Sequence, residues 1–252
     1  MDDTTIQKKG SHLNQTKLDQ NEICSMFNRI AHRYDLLNRT LSFGQDIIWR
    51  NKVANYLTDD SEQIILDLAT GTGDLLISLY EKNSKVKYGI GLDMAGKMLE
   101  LAEKKIIAKN LQHSLSLVKA DAVRIPFADN TFNAVTIAFG IRNIPEISKA
   151  LSEMNRILKT NGRALILEFS LPQNSLLKRV YLLYFRYILP FVGKLVSGDS
   201  SAYRHLNQSV ETFPYGKEFC QLMEGAGFKE VKANQLSHGI ATIYQGSCKP
   251  HN

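Results

Sequence analysis

Short apolar runs alternate with amphipathic stretches of helical spacing through the middle of the chain. The apolar runs predict strands at residues 64–66, 88–92, 115–118, 134–139 and 163–168. The stretches between them predict helices at residues 75–80, 98–108 and 147–158, the last of them stopping at a left-handed end at Asn161-Gly162. Such alternation is typical of an α/β domain with a mostly parallel sheet.

The two ends of the chain extend this domain. Helical spacing predicts a helix over residues 23–34 and a second over 47–57, separated by a break at 36–44, and late apolar runs at 231–235 and 240–245 predict closing strands. We expect a flexible tail over residues 1–20 and a single domain over 21–252, with an N-terminal helical cap at 21–60 and a helical insertion at about 175–215.

The insertion carries an apolar, tyrosine-rich stripe over residues 176–189, which Pro190 ends or kinks. Ligands of open α/β sheets bind at the carboxyl ends of the strands, and we expect the insertion to lie over this edge. The stripe is then the wall of an apolar groove or a lid that contacts a membrane, with a buried core helix as the alternative. Basic residues that favour anionic headgroups are Lys178, Arg179, Arg186 and Lys194.

A glycine-rich turn, Asp67–Asp74, follows the first predicted strand and is the most informative segment. Gly71 and Gly73 let the backbone turn sharply and approach a ligand closely. A dinucleotide site requires a third glycine where Leu76 stands, and Asp74 puts negative charge where a pyrophosphate would lie. The turn therefore favours a positively charged nucleoside ligand without phosphate, such as S-adenosylmethionine, and disfavours a nicotinamide oxidoreductase.

Acidic residues stand at successive strand ends. Asp93 is expected to accept hydrogen bonds from the ribose hydroxyls, with a helix N-cap as the alternative. Asp121 is expected to bind the adenine amino group, with a turn role as the alternative, and Ala122 offers a backbone N–H to the ring. Thr72 is expected to contact the amino-acid end of the cofactor, or to serve the turn alone.

Charge on the glycine-rich turn fits the same ligand. Asp67 and Asp74 are expected to offset the ammonium and sulfonium charges of the cofactor. Asp74 is equally explained by favourable placement of an acidic residue near a helix N-terminus.

The composition of the chain bears on its binding partners and its cellular compartment. The 252 residues are 44% hydrophobic and 22% charged, and a net charge of +6 fits a solvated surface, nucleic acid or an anionic membrane. Three scattered cysteines and six dispersed histidines indicate neither a disulfide framework nor a metal site. Since no run reaches the ~18 apolar residues of a spanning helix and no signal peptide is evident, we expect a cytoplasmic protein.

Several segments beyond the glycine-rich turn share the pattern of one family. The most specific are Phe139-Gly140-Ile141-Arg142-Asn143 and Ser201-Ala202-Tyr203-Arg204-His205-Leu206, and the others are residues 27–35, 125–132, 162–170 and 226–228. Over residues 23–248 the chain resembles the ubiquinone/menaquinone biosynthesis C-methyltransferase family. The resemblance implies a class I S-adenosylmethionine-dependent methyltransferase fold, Rossmann-like with seven strands, and C-methylation of a polyprenylated quinol.

The resemblance carries cofactor positions onto Thr72, Asp93, Asp121 and Ala122. Many members have serine where this chain has Ala138, so a hydroxyl contact to the cofactor is not expected here. Several members have asparagine in place of Asp121, and a glycine pair is common where this chain has His238-Gly239.

The reaction needs a ring carbon made nucleophilic by loss of the neighbouring hydroxyl proton. Arg142 is the first candidate on the acceptor side, where it stabilises the phenolate or orients a water that takes the proton; an ion pair with Glu168 or Asp199 is the alternative. Tyr34 and Asp35 are candidates for substrate binding, and Tyr203 and His205 for catalysis, although a lone histidine is often structural.

We expect demethylmenaquinol as the substrate, with a benzoquinol as the alternative, transient contact with the inner face of the membrane, and a homodimer as one arrangement. A nucleic-acid methyltransferase is disfavoured because Gly140-Ile141-Arg142-Asn143 stands where an N/D-P-P-Y-like loop is usual and no basic–aromatic cluster indicates base stacking. A non-catalytic regulator that binds the cofactor stays open.

Overall fold

The computed structural model of the chain describes residues 19–57, 62–188 and 200–248, with side chains at all of these except 200–204. Its strands are β1 (Gln63–Leu68), β2 (Val86–Asp93), β3 (Leu115–Lys119), β4 (Phe132–Ala138), β5 (Leu158–Phe169), β6 (Lys229–Leu236) and β7 (Ala241–Ser247). Its α-helices are α1 (Gln20–Leu41), α2 (Gln45–Val53), α3 (Asp74–Lys82), α4 (Gly96–Ala108), α5 (Ile147–Ile157), α6 (Ser175–Leu183), α7 (Ser200–Thr212) and α8 (Lys217–Gly225).

The strands form one sheet in the order β3-β2-β1-β4-β5-β7-β6. Strands β1 to β5 pair in parallel, and β7 pairs antiparallel with both β5 and β6. The mostly parallel sheet and the two closing strands are therefore confirmed. The strand order reverses between β1 and β4, and ligands of such sheets bind at the carboxyl edge beside this point.

Apolar side chains cover both faces of the central strands. In β1, Ile65 packs in one buried cluster, while Leu66 and Leu68 pack in the cluster on the other face. Strands buried on both sides read as continuous apolar runs, which is why the pattern predicted them well. Helix α5 adds the fully buried Leu151 and Met154, and truncation of one such side chain to alanine costs about 2–5 kcal/mol.

Helix α1 begins and ends differently from its prediction. Asp19 caps it in a reciprocal pair of hydrogen bonds with Glu22, so the helix starts within the tail predicted over residues 1–20, of which 1–18 lie outside the described residues. The predicted break at 36–44 is wrong over residues 36–41, because the helix continues to bury Leu37 and ends only at Leu41. The chain turns at Phe43 and Gly44, both of which have positive φ angles.

Asn161-Gly162 does not end α5. The helix stops at Ile157, and β5 begins directly at Leu158, so the pair lies within the strand. Asn161 has a left-handed φ of 63°, and the pairing of β5 with β4 shifts register between Phe132 and Ala134. A left-handed asparagine here marks an irregular strand rather than a helix end.

The predicted insertion forms helix α6, a π-helical turn at Tyr184–Ile188, and helix α7. Leu189, Pro190, Lys194 and Asp199 of the sequence predictions lie outside the described residues. Within the described parts of the chain, no helix has the length and apolar character needed to cross a membrane.

Candidate active site

Two cavities open beside the carboxyl edge of the sheet. The smaller, which we call the donor cavity, has a volume of about 100 Å³, and the larger, the acceptor cavity, has about 420 Å³. Four residues line both: Phe27, Tyr34, Phe139 and Asn143. The cavities are therefore neighbours that share three aromatic side chains and one amide, which we call the shared wall.

Asp93 ends β2 at the rim of the donor cavity. Its Oδ1 accepts from the N–H of Ala95 and its Oδ2 from the N–H of Gly71, both at 2.8 Å. Burial raises the pKa of this carboxyl, while the backbone donors oppose the rise. A carboxylate accepts about four hydrogen bonds, so these two leave capacity for a ligand hydroxyl. Since Ala95 rather than Asp93 occupies the N-cap position of α4, the capping alternative does not hold.

Glycine is needed at two positions around the donor cavity. Gly71 has a φ of 57°, and a Cβ there would meet nothing closer than the Ala69 oxygen at 4.0 Å, so the glycine leaves the cavity side of the turn open. At Gly140 a Cβ would lie 2.7 Å from the Cβ of Ala69. The loop after β4 therefore packs directly against the glycine-rich turn and brings both to one cavity.

Asp67 is buried behind the glycine-rich turn, where it bonds neighbouring hydroxyl groups. Its oxygens accept hydrogen bonds from the hydroxyls of Thr70 at 2.6 Å and Thr136 at 2.7 Å, and the residue is 1% exposed. Burial raises the pKa of this carboxyl to about 6. Asp67 is not among the residues that line the donor cavity, so the structure places this predicted cofactor residue in a supporting position.

Thr72 and Gly73 also turn away from the donor cavity. The hydroxyl of Thr72 donates to Asp35 of α1 at 2.6 Å and accepts from Lys105 of α4 at 2.9 Å. Lys105 also pairs with Asp35 at 2.6 Å and with Asp74 at 2.5 Å. Asp74 and Asp35 thus belong to one polar cluster that joins the turn, α1 and α4, and neither residue lines the donor or the acceptor cavity.

The adenine end of the predicted site is covered by α1. Ala122 lines the donor cavity, whereas Asp121 is not among its lining residues. Asp121 Oδ1 accepts from the amide of Gln20 at 2.8 Å and from the N–H of Val123 at 3.0 Å. Gln20, which was not predicted from the sequence, lines the cavity and closes it over Asp121.

Arg142 lines the acceptor cavity and forms the alternative ion pair considered for it, with Glu168 at 2.6 Å. The same Nη1 donates to the carbonyl of Phe139, and the Nε is a buried donor with no acceptor in the described part of the chain. Burial raises the pKa of Glu168, and the Arg142 charge opposes the rise. A buried donor left without an acceptor costs about 1–3 kcal/mol, so a ligand oxygen here would be stabilised.

His205 and Tyr34 join Arg142 around the acceptor cavity, while the side chain of Tyr203 lies outside the described part of the chain. His205 Nε2 lies 3.0 Å from Asn143 Oδ1, and burial together with the Arg142 charge lowers the pKa of the imidazole. Burial raises the pKa of the Tyr34 phenol, against the opposing positive charges of Arg142 and Arg50.

Sequence reasoning missed a second buried ion pair in the acceptor cavity. Arg50 Nη1 lies 2.5 Å from Asp46 Oδ2, with the side chains 9% and 5% exposed. The signal available in the sequence was the i,i+4 spacing beside Trp49, but such spacing is also common on solvated helix faces.

The lining of the donor cavity matches the chemistry of S-adenosylmethionine, because it combines a carboxylate at the end of β2, a glycine turn and apolar side chains. Solved structures show the same fold. A SAM-dependent methyltransferase of Thermotoga maritima, described as a possible histamine N-methyltransferase, matches with a TM-score of 0.63 at 21% identity over 90% of this chain and 100% of that one. A SAM-dependent methyltransferase of Aquifex aeolicus matches with a TM-score of 0.54 at 18% identity, over 79% and 88%. The fold is therefore that of the class I S-adenosylmethionine-dependent methyltransferases.

The sequence model of the ubiE/COQ5 methyltransferase family matches residues 15–248. A demethylmenaquinone methyltransferase of Thermus thermophilus is 44% identical over 221 residues, 88% of this chain and 99% of that protein. The ubiquinone/menaquinone biosynthesis C-methyltransferase UbiE of Geotalea uraniireducens is 44% identical over 225 residues, 89% of this chain and 95% of that protein. The chain belongs to the ubiE/COQ5 methyltransferase family.

Proposed function

We propose that this methyltransferase transfers a methyl group to a ring carbon of a prenylated quinol, with demethylmenaquinol as the preferred substrate. The observation that carries the proposal is the pair of adjoining cavities, a small one with a carboxylate rim and a large apolar one that holds a buried arginine. The names of the two relatives support the same reaction, since both act on quinones of this class.

Bound S-adenosylmethionine supplies an electrophilic methyl group on a sulfonium. The residues proposed to hold it are Asp93, which accepts from the ribose hydroxyls, and the backbone at Gly71 and Ala122. The aromatic side chains shared by the two cavities are proposed to exclude water from the place where the two ligands meet, since an in-line displacement must take place there.

Arg142 is proposed to stabilise the phenolate of the acceptor. Its charge is held by Glu168 in a buried setting, where electrostatic effects on a developing anion are larger than in water. A neutral His205 beside it is suited to accept a proton from the quinol, directly or through a water, because burial and Arg142 lower the pKa of the imidazole. Formation of the new C–C bond would break the C–S bond of the sulfonium. The ring carbon would then release its hydrogen as a proton to water, and protonated His205 would return the first proton to the quinol oxygen, which restores the aromatic quinol.

The naphthoquinol is favoured over the benzoquinol by the walls of the acceptor cavity. Trp49, Phe139 and Phe169 pack together there, with ring centroids 4.6–6.2 Å apart. A fused bicyclic ring offers more area to such a surface than a single ring, and buried apolar area is worth about 25 cal/mol per Å².

The prenyl tail is proposed to enter from the membrane surface. Phe43 and Val180, which line the acceptor cavity, are 81% and 56% exposed. Exposed apolar residues continue along the insertion at Leu176, Leu183, Tyr187 and Ile188. An apolar patch at the mouth of an apolar cavity fits a protein that docks on the inner face of the membrane to reach a lipid-dissolved substrate.

The test is an anaerobic assay of the purified protein with S-adenosylmethionine and short-chain demethylmenaquinol or the corresponding benzoquinol. Mass spectrometry of the product should show one added methyl group on carbon, with a higher kcat/KM for the naphthoquinol. Absence of methylation of either quinol by the folded, cofactor-binding protein would contradict the proposal.

A further inference from the structure

The Asp46–Arg50 ion pair occupies a part of the acceptor cavity where apolar side chains would be expected. The cavity walls are dominated by aliphatic and aromatic residues, and both members of the pair line it. The carboxylate of Asp46 accepts from Ser42 Oγ at 2.8 Å through Oδ1 and from Arg50 through Oδ2. Each oxygen of Asp46 thus holds one protein donor. An oxygen of the ligand needs a donor, which only the guanidinium of the pair can supply.

Arg50 retains donors for this purpose. A guanidinium carries five N–H donors in a fixed plane. Among the described residues, Arg50 makes one hydrogen bond, from Nη1 to Asp46. Its Cζ also lies 5.5 Å from the centre of the Phe139 ring, which holds the guanidinium plane against an aromatic wall of the cavity.

Arg50 and Arg142, which both line the acceptor cavity, have similar surroundings. Arg142 Cζ lies 5.2 Å from the ring centre of Phe169, and the rings of Phe139 and Phe169 lie 4.6 Å apart. Each arginine is thus paired with a carboxylate and lies over one of two neighbouring phenylalanine rings. Both arginines line the acceptor cavity, and the positive charge of each lowers the pKa of the Tyr34 phenol, which burial raises.

Stability does not account for the Asp46–Arg50 pair. Removing two charges from water is costly, and a buried ion pair is often no more stabilising than apolar residues of similar volume. The Asp46–Arg50 pair lines a ligand cavity although its removal from water costs free energy. Recognition of a polar group on the ligand explains this placement better than stability does.

We propose that Arg50, positioned by Asp46, donates to the quinol oxygen farther from the reacting carbon, while Arg142 faces the nearer oxygen. The proposal rests on the proposed quinol substrate and adds Arg50 as a positioning residue that orients the ring. A quinol carries its two oxygens on opposite sides of the ring, so two separate donors fix both its position and its direction. The reacting ring carbon then faces the donor cavity in one orientation.

The test compares two ligands that differ in one oxygen. The first is a short-chain prenylated 1,4-naphthoquinol, and the second is the analogue with hydrogen in place of the hydroxyl farther from the reacting carbon. Binding of each to the complex with S-adenosylhomocysteine is measured anaerobically by calorimetry, because rates would also respond to the different reactivity of the two rings. Wild type is compared with the double variant Asp46→Asn/Arg50→Gln, which removes both charges together.

We expect wild type to bind the diol about tenfold or more tightly than the analogue, the range of a charge-assisted hydrogen bond. In the double variant this preference should fall to about one, with S-adenosylhomocysteine affinity unchanged. A double variant that keeps the wild-type preference for the diol would overturn the proposal. Equal binding of the two ligands by wild type would also overturn it, and this result does not depend on whether a variant folds. If wild type binds neither ligand and methylates no quinol, the proposed function itself fails.

Discussion

The hydroxyl of Thr72 donates a hydrogen bond to Asp35 at 2.6 Å, and this contact ties the glycine-rich turn to helix α1. Lys105 completes the cluster by pairing with Asp35 and contacting the Thr72 oxygen. Helix α1 lines both cavities, so the cluster controls how firmly one wall of each is held.

Substitution Lys105→Met should loosen α1. The side chain is 27% exposed and contacts oxygens of Asp35, Thr72 and Asp74, so its loss should lower the free energy of local opening by about 1–2 kcal/mol. Hydrogen exchange of α1 amides should quicken accordingly. The control is Lys109→Met, which breaks a more exposed pair with Glu81. Equal protection of α1 in both variants would refute the role of the cluster.

Substitution Asp93→Asn should weaken binding of S-adenosylhomocysteine by about tenfold or more, because an acceptor for the ribose is lost and an N–H is turned toward backbone donors. Calorimetric titration measures the change. Asp121→Asn is the matched comparison: its carboxylate bonds Gln20 and Val123 and should change affinity little. A larger loss at Asp121 than at Asp93 would reverse the assignment.

Substitution Arg142→Lys should lower kcat by about a hundredfold or more while leaving affinity for S-adenosylhomocysteine within about twofold, because a lysine cannot reproduce the fork of donors. Glu168→Gln should give a smaller loss, since the guanidinium keeps its charge. Steady-state kinetics with the quinol separates kcat from KM. A normal kcat for folded Arg142→Lys would remove the residue from the reaction.

The stability of the protein should depend on pH through Asp67. Burial raises the pKa of its carboxyl from 3.8 to about 6 in the folded state. Since the folded value is the higher one, the stability from this proton is complete below about pH 3.8 and is lost as the pH rises through about 6.

Asp67→Asn should remove that loss, because an amide can still bond the hydroxyls of Thr70 and Thr136 without carrying charge. We expect the variant to gain up to about 3 kcal/mol relative to wild type between mildly acidic and slightly alkaline pH. Urea unfolding at several pH values measures this difference. Asp129→Asn, at an exposed carboxyl, serves as control, and parallel profiles for wild type and Asp67→Asn would contradict the prediction.

Membrane docking should depend on the exposed side of α6 and the turn after it. Leu176 and Tyr187 are each 70% exposed, and replacing both with serine should reduce co-sedimentation with vesicles that contain anionic lipid. The control is Ile107→Ser, which removes an apolar side chain that is 54% exposed on α4. Equal sedimentation of the two variants would argue against this surface.

The order of strands and helices could be predicted from the sequence because buried parallel strands are continuous apolar runs. The roles of acidic residues near the ends of these strands were harder to predict. Asp67 and Asp93 look alike in sequence, yet Asp67 lies one residue inside the end of β1 and is bonded by two threonines, while Asp93 is the last residue of β2 and reaches the rim. Only the depth of each residue in the sheet separates these two cases.

Contacts between distant segments could not be predicted. The pairing of Asp35 with Lys105 and of Gln20 with Asp121 depends on how α1 lies across the sheet edge, which no local pattern encodes. For Asp46 and Arg50 the spacing was visible, but not their burial in the acceptor cavity. Arg142 was found because its segment is specific to the family, and the structure confirms Glu168, one of the two partners considered from the sequence, as its ion-pair partner.

The donor cavity, at about 100 Å³, is below the about 300–1,000 Å³ of typical small-molecule sites, and the N-terminal turn of α1 closes it through Gln20. Entry of the first ligand must therefore displace a helix that also borders the second cavity. Thermodynamic reciprocity then requires that each ligand alter the affinity of the other by the same factor. The affinity of an inhibitor for one cavity should therefore depend on whether the other cavity is filled.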